Sequence, residues 1–381
     1  MATHTRNSEP EGRHRANRKD DYISYSPPKF RDELMRYKHI AFFKRVLQVL
    51  PSQQLDTHRV SVAFFAVSGL DILESLQEIE VNKNNIINWI YSLQVQPQDN
   101  GDNYCQCGFR GCPVLGHSHD INKASKQLIP NDSSNIAMTY TALVTLLILG
   151  DSLSRVHKKA VIAGIRSLQQ KDGSFVSVLE GSENDMRFVY CACCVCFILD
   201  DWNGMDVEKT ISYIVQSLSY EGAFGQRPFN EAHGGSTFCA VASLVLLDRL
   251  HSALTERQLN HLKRWLLRRQ ESGFTGRPNK PADTCYSFWV GATLQMLGIL
   301  DLSNVTFNRS FVLSTQSPIT GGFSKYPDHI PDPLHTYLGL GGLALIGEPG
   351  LGPIFPALNM SQRAYDHLAN LHQQWKEGPD H

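Results

Sequence analysis

The chain has 381 residues, 42% of them apolar, enough for a sizeable core in one large domain or two ordinary ones. Its 36 basic and 37 acidic side chains leave a formal charge of −1, so no broad field argues for nucleic acid or an anionic membrane as the main partner, and any anion site must be local. No apolar run approaches the roughly 20 residues of a membrane span. The polar start lacks a signal-peptide core, and an odd count of nine cysteines reads as reduced thiols, so the expected compartment is the cytoplasm.

Residues 1–28, closed by Pro27-Pro28, are polar and charged and are expected to form a disordered leader. Residues 29–375 are expected to form a single domain, with 376–381 as a polar tail. Within it, 96–135 is rich in Asn, Asp, Gly, Ser and Pro and reads as an irregular excursion. It carries Cys105, Cys107, Cys112, His117 and His119, whose spacing fits no common zinc module.

Beyond Asn135 the pattern becomes regular. Segments 140–149, 188–199, 238–247, 288–300 and 338–346 are apolar nearly all round and predict helices buried on most sides; the second holds Cys191, Cys193, Cys194 and Cys196. Ile211, Ile214, Val215 and Leu218 trace a stripe at helical spacing, as do Leu259, Leu262, Trp265 and Leu266 beside Arg264, Arg268 and Arg269, which predicts helices with one wet face. Gly173, Gly222, Gly273 and Gly322 each precede a phenylalanine within two residues and are spaced 49, 51 and 49 residues apart, with Gly108-Phe109 as a candidate fifth copy. A period near 50 marks a repeat architecture. Alternating half-wet and buried helices predict an all-α fold, an α/α barrel with an inner ring sheathed by an outer one. An open α-solenoid shares the helix pairs, and pattern alone does not decide closure.

A shift of 50 pairs Ala242-Ser243-Leu244 with Ala292-Thr293-Leu294 and carries Cys285 onto His335, with Asp283 two residues before the cysteine. Carboxylate, thiolate and imidazole make a three-ligand zinc set that keeps a fourth position open, as catalytic sites do. The other reading is a helix N-cap, a buried thiol and a core histidine. His233, Arg277, Lys280 and Tyr286 fall near the same end of the repeats and could hold a diphosphate, arginine as a planar fork and lysine as a point charge. The alternative is a solvated basic loop. No P-loop, dinucleotide fingerprint, H-E-x-x-H or G-x-S-x-G elbow occurs, which disfavours nucleotide hydrolysis, dinucleotide chemistry, zincin proteolysis and α/β-hydrolase action.

The strings at 183–190, 233–239 and 276–289, running Glu183 to Tyr190, His233 to Cys239 and Gly276 to Trp289, resemble protein prenyltransferase β subunits, and the similarity extends over roughly 30–375. The resemblance implies an (α/α)6 barrel and zinc on Asp283, Cys285 and His335. It implies a prenyl diphosphate on His233, Arg277, Lys280 and Tyr286, with Arg187, Tyr190, Cys239 and Trp289 lining the isoprenoid channel or its mouth. It further implies an obligate α subunit, and CaaX substrates such as Rho/Rac-type small GTPases and G-protein γ subunits. Ser61 stands where the farnesyl branch carries a bulky tryptophan, Leu334 where it carries tyrosine, and Lys325 where it carries a magnesium-binding aspartate. These three differences resemble the type I geranylgeranyl branch, which implies geranylgeranyl diphosphate as donor, a CaaX motif ending in Leu, one Zn2+ and no requirement for Mg2+. Ser61 itself departs from the threonine of that branch. The rival expectations are the farnesyl or Rab-directed branch, a terpene cyclase, whose Asp-rich motif is missing, and a repeat scaffold that binds no metal.

Overall fold

Helices apolar on every side must be enclosed by other helices, and the computed structural model shows how. It describes residues 33–49, 52–113, 133–180 and 182–377; the expected leader 1–28, together with His117 and His119, lies outside them. In chain order the helices are α1 (Arg36–Gln48), α2 (Arg59–Ile72), α3 (Lys83–Ser92), α4 (Ile136–Ile148), α5 (Lys158–Ser167), α6 (Met186–Ile198), α7 (Val207–Gln216), α8 (Gly234–Leu246), the single turn α9 (Leu250–Ala253), α10 (Glu256–Leu267), α11 (Tyr286–Met296), α12 (Val305–Ser314), α13 (Pro333–Leu345) and α14 (Gln362–Glu377). Helices α2, α4, α6, α8, α11 and α13 pack each on the next, and α13 returns to α2. The ring is therefore closed, which decides for a barrel and against an open solenoid.

Outside it, α1, α3, α5, α10 and α12 cover α2, α4, α6, α11 and α13. Helix α7 docks on the Gly173 turn, where a Cβ would stand 2.1 Å from the Lys209 carbonyl and φ is +92°, so only glycine fits. Each inner helix contributes at least one aromatic ring to a belt inside the barrel, among them Phe64, Tyr140, Tyr190, Phe238, Phe288 and Tyr337, whose neighbouring centroids are 5.3 to 6.0 Å apart where they touch. A short hairpin, Ile354–Phe355 paired with Met360–Ser361 around Pro356–Leu358, touches five of the six inner helices and so lies across one end of the tube. Tyr140 and Tyr337 donate hydroxyl hydrogen bonds to its Leu358 and Asn359 carbonyls at 2.9 and 2.7 Å.

Two repeated hydrogen-bond devices explain the period. In four of the five copies the carbonyl of the turn phenylalanine accepts the N–H of the residue that opens the next inner helix: Phe109 from Asn135, Phe224 from His233, Phe274 from Asp283, Phe323 from Asp332. The Phe109 turn is thus the fifth copy. Four glutamines also clamp the outer helices, since Gln94, Gln169, Gln270 and Gln316 each accept through Oε1 the backbone N–H of an N-cap residue: His157, Asp206, Asn304 and Met35, respectively. Leu218 occupies the glutamine place in the remaining copy, and there α10 caps itself with a Thr255–Gln258 capping box.

Three expectations need correction. The buried helices begin two to five residues earlier than their apolar runs, because polar rim residues share their first turn. The predicted 288–300 helix stops at Met296, with Gly298 at φ +68° just beyond. The step between the last two copies is 49, not 50: Phe274 to Phe323 and Asp283 to Asp332. Cys285 is therefore equivalent to Leu334, and His335 lies one residue further along its helix.

Candidate functional site

The phenylalanine turns deliver His233, Asp283 and Asp332 to equivalent points at the N-terminal ends of α8, α11 and α13. There, candidate ligand atoms of Asp283, Cys285 and His335 all lie within 4.8 Å of one another, the one such group of His, Cys, Asp or Glu among the described residues. The offset in register does not separate them. Cys285 and His335 each occupy the start of a helix, and the two helices are packed side by side.

Asp283 and Cys285 are 6% and 8% exposed. Asp283 Oδ1 accepts the Cys285 N–H at 3.0 Å and stands 3.3 Å from His335 Nε2, so one carboxylate both starts the helix and faces the ring. Asp332 fixes the far side of the imidazole: its Oδ2 is 2.6 Å from Nδ1, while its Oδ1 accepts the His335 backbone N–H at 2.9 Å. That arrangement leaves Nε2 for the cluster, as the outer carboxylate of a metal-bound histidine does. Lys325 Nζ lies 3.6 Å from Asp283 Oδ2.

The electrostatics suit a cation. Burial and the Asp283 carboxylate push the Cys285 thiol well above its usual pKa. Burial opposes the charged form of His335, but carboxylates on both its nitrogens prevail and raise it to about 9. Burial likewise opposes ionisation of Asp283, yet the His335 ring and the Cys285 N–H hold its carboxyl below the ordinary range. A metal cation would displace the protons on sulfur and imidazole. One thiolate, one imidazole and one carboxylate within this span fit Zn2+ with a coordination position to spare.

Beside this group, His233 accepts the N–H groups of Gly235 and Ser236 at Nδ1, at 3.0 and 3.4 Å, which places its proton on Nε2, 2.9 Å from the Tyr286 hydroxyl. Burial, then the charge of Arg277, lowers its pKa. Tyr286 Oη, accepting from His233, keeps its own proton to donate. Arg277 pairs through Nη1 with Glu231 at 3.1 Å. Lys280, on the same loop, is exposed and makes no ion pair with a described residue, so nothing but proximity along the chain joins it to the cluster.

Residues 34–360 match the family model of the prenyltransferase alpha-alpha toroid domain. A geranylgeranyl transferase type-1 subunit beta of Dictyostelium discoideum is 42% identical over 332 residues, covering 85% of this chain and 94% of the relative. One from Arabidopsis thaliana is 36% identical over 355 residues, covering 88% and 92%. The chain belongs to the prenyltransferase family, among its geranylgeranyl transferase type-1 β subunits. A solved structure of Candida albicans protein geranylgeranyltransferase-I complexed with GGPP superposes with a TM-score of 0.75 at 26% identity, covering 89% of this chain and 99% of that one. The described residues contain no helix long and apolar enough to cross a membrane.

Inside this prenyltransferase barrel the remaining expected residues spread round the ring. Tyr190 shares a 3.3 Å hydroxyl contact with Tyr140; Trp289 packs 4.9 Å from Phe238, centroid to centroid; Cys239 lies buried one turn below the start of α8. The Ser61 hydroxyl points at Met138 Sδ, 3.4 Å away, and Leu334 is half-buried beside His335. Arg187 is held at the mouth by Asp185, fully buried at the start of α6, with a 2.6 Å contact, and by Glu183 at 3.0 Å. Sequence reasoning missed Asp332 and Asp185. Both occupy the repeat position of Asp283, so the signal was present in the period itself.

Proposed function

We propose that this chain is the catalytic β subunit of a heterodimer that moves a geranylgeranyl group from geranylgeranyl diphosphate to the cysteine sulfur of C-terminal CaaX motifs, preferentially those ending in Leu. The observation that carries the reading is the buried carboxylate–thiol–imidazole group beside a set of diphosphate-suited donors at one mouth of an apolar tube. Asp283, Cys285 and His335 would hold one zinc ion. Bound there, zinc supplies Lewis acidity that lowers the pKa of an incoming thiol.

The chain's own residues divide the rest of the work. His233 Nε2–H orients the Tyr286 hydroxyl, which with Arg277 and Lys280 donates to the diphosphate and stabilises the charge that forms as it leaves C1. Tyr190, Cys239 and Trp289 line the apolar wall for the isoprenoid, with Arg187 at its mouth. Ser61 leaves space where a larger side chain would stop a longer lipid, and Leu334 shapes the pocket for the last residue of the CaaX motif. Lys325, already within 3.6 Å of Asp283, brings fixed positive charge to the place a magnesium ion would serve, so turnover needs no magnesium. An α subunit completes the enzyme, Rho/Rac-type GTPases and G-protein γ subunits fit the substrate class, and the cytoplasm is the compartment.

Co-expression with an α subunit, followed by transfer from C20 and C15 diphosphates to a Leu-ended CaaX peptide in magnesium-free buffer, tests this. Geranylgeranyl transfer is expected to dominate; faster farnesyl transfer with strict magnesium dependence would refute the assignment.

A further inference from the structure

Outer helix α10 carries a charge that the barrel does not need. In a chain of net charge −1, residues 249–270 hold six cations, Arg249, Arg257, Lys263, Arg264, Arg268 and Arg269, against the single acid Glu256. Arg257, His261, Arg264 and Arg268 follow one another at helical steps and are all exposed, which makes one stripe about 16 Å long. Arg269 differs: it is 8% exposed and stacks over Trp265, 4.6 Å from the ring centroid.

Several cations elsewhere on the outer shell are matched, whereas Lys159 and Arg166 on α5 make no ion pair with a described acid. Lys209 on α7 pairs with Asp206 and Arg155 with Asp151. None of the side chains of Arg257, Lys263, Arg264 or Arg268 pairs with a described acid. The same face offers no apolar anchor, because Leu259, Leu262, Trp265 and Leu266 of α10 are all turned into the core. Stable protein interfaces have an apolar centre depleted of charge, so an unpaired cationic stripe without one suits a diffuse, polyanionic surface instead. The flanking turn adds one feature. Gly222 abuts His261, with 3.0 Å to a Cβ built there, and two residues away Tyr220 is 98% exposed. Tyrosine is favoured at the depth of lipid headgroups.

We propose that the α10 stripe is an electrostatic docking face for an anionic lipid bilayer. The choice of a bilayer among polyanions rests on the geranylgeranyl-transfer reading: the donor has a C20 tail and the product bears it, and both partition into membranes. A barrel held at the surface meets its donor, and releases its product, where the lipid concentration is highest. The attraction is local to one helix and consistent with a chain that is nearly neutral as a whole.

The test uses the full chain co-expressed with its partner subunit, sedimented with phosphatidylcholine vesicles with and without phosphatidylserine, at low and high salt. Binding is expected only with phosphatidylserine and to fade with salt. The triple variant R257Q/R264Q/R268Q is expected to lose about five-fold per arginine, on the order of 100-fold together. Its transfer rate to a soluble peptide is expected to be unchanged; transfer lacking in the wild type would overturn the functional reading while leaving the vesicle result legible. Equal binding to neutral vesicles, undiminished binding by the triple variant, failure of that variant to assemble with the partner subunit, or tighter binding to a single-stranded oligonucleotide would each overturn the proposal.

Discussion

Two buried histidines mark two regions of the barrel and meet opposite fates. Where α1 covers the seam between α13 and α2, His39 is 0% exposed, accepts the Gly322 N–H at 3.1 Å through Nδ1, and faces the Gln316 amide oxygen at 2.8 Å through Nε2. With neutral partners, burial pulls its pKa down to about 4. At the rim, His335 sits between two carboxylates and rises to about 9. The charge of the partners, more than burial, separates a structural pin from a metal-binding candidate. The cysteines agree: the four thiols of α6 are buried, pushed up in pKa and without an adjoining acid–imidazole pair, whereas Cys285 has both neighbours.

The largest test of that contrast exchanges the two histidines for alanine. His335→Ala is expected to reduce prenyl transfer by on the order of 1,000-fold with a near-normal unfolding midpoint, since three ligands act as a unit. His39→Ala is expected to keep transfer within a few-fold but lose roughly 2–4 kcal/mol in urea unfolding. Transfer lost in both, or in neither, would erase the distinction.

Acid sharpens it. A lowered folded-state pKa means that His39 binds a proton more readily when unfolded, so its contribution is intact above the unfolded value of 6.5 and is lost as pH falls toward about 4. The loss amounts to about 3 kcal/mol over that window. Urea midpoints measured across the window should fall, and His39→Gln should flatten the dependence.

A smaller effect is expected at Asp332. Asp332→Asn keeps an oxygen to cap α13 but removes the charge on His335 Nδ1, and should weaken zinc binding by about 10- to 100-fold against a competing chelator; unchanged affinity would reduce Asp332 to a helix cap. Smallest is Gln270→Leu, which strips the clamp from Asn304 and should cost about 1–2 kcal/mol by calorimetry. Leu218 already stands in the equivalent place, where α10 is capped by its own Thr255–Gln258 box.

The sequence displayed the barrel through its glycine–phenylalanine turns, whose chemistry is local: one aromatic anchor per copy and a glycine that sits at positive φ in all but the Gly273 turn. Asp283 and Cys285 were legible as a pair two residues apart. His335 was found by a repeat shift wrong by one residue, and it still converges because a helix start spans more than one ligand position. The glutamine clamps were missed because Gln169, Gln270 and Gln316 precede their glycines by different distances, and only the bridge to phenylalanine puts them in register. The exposure of Lys280 and the unpaired face of α10 depend on which acids lie near in space, which one-dimensional spacing does not contain.

Elemental analysis of the purified heterodimer addresses the central claim most directly. About one zinc per β subunit is expected for the wild type, and next to none for Cys285→Ala with an unaltered circular dichroism spectrum. Full zinc occupancy in that variant would contradict the site.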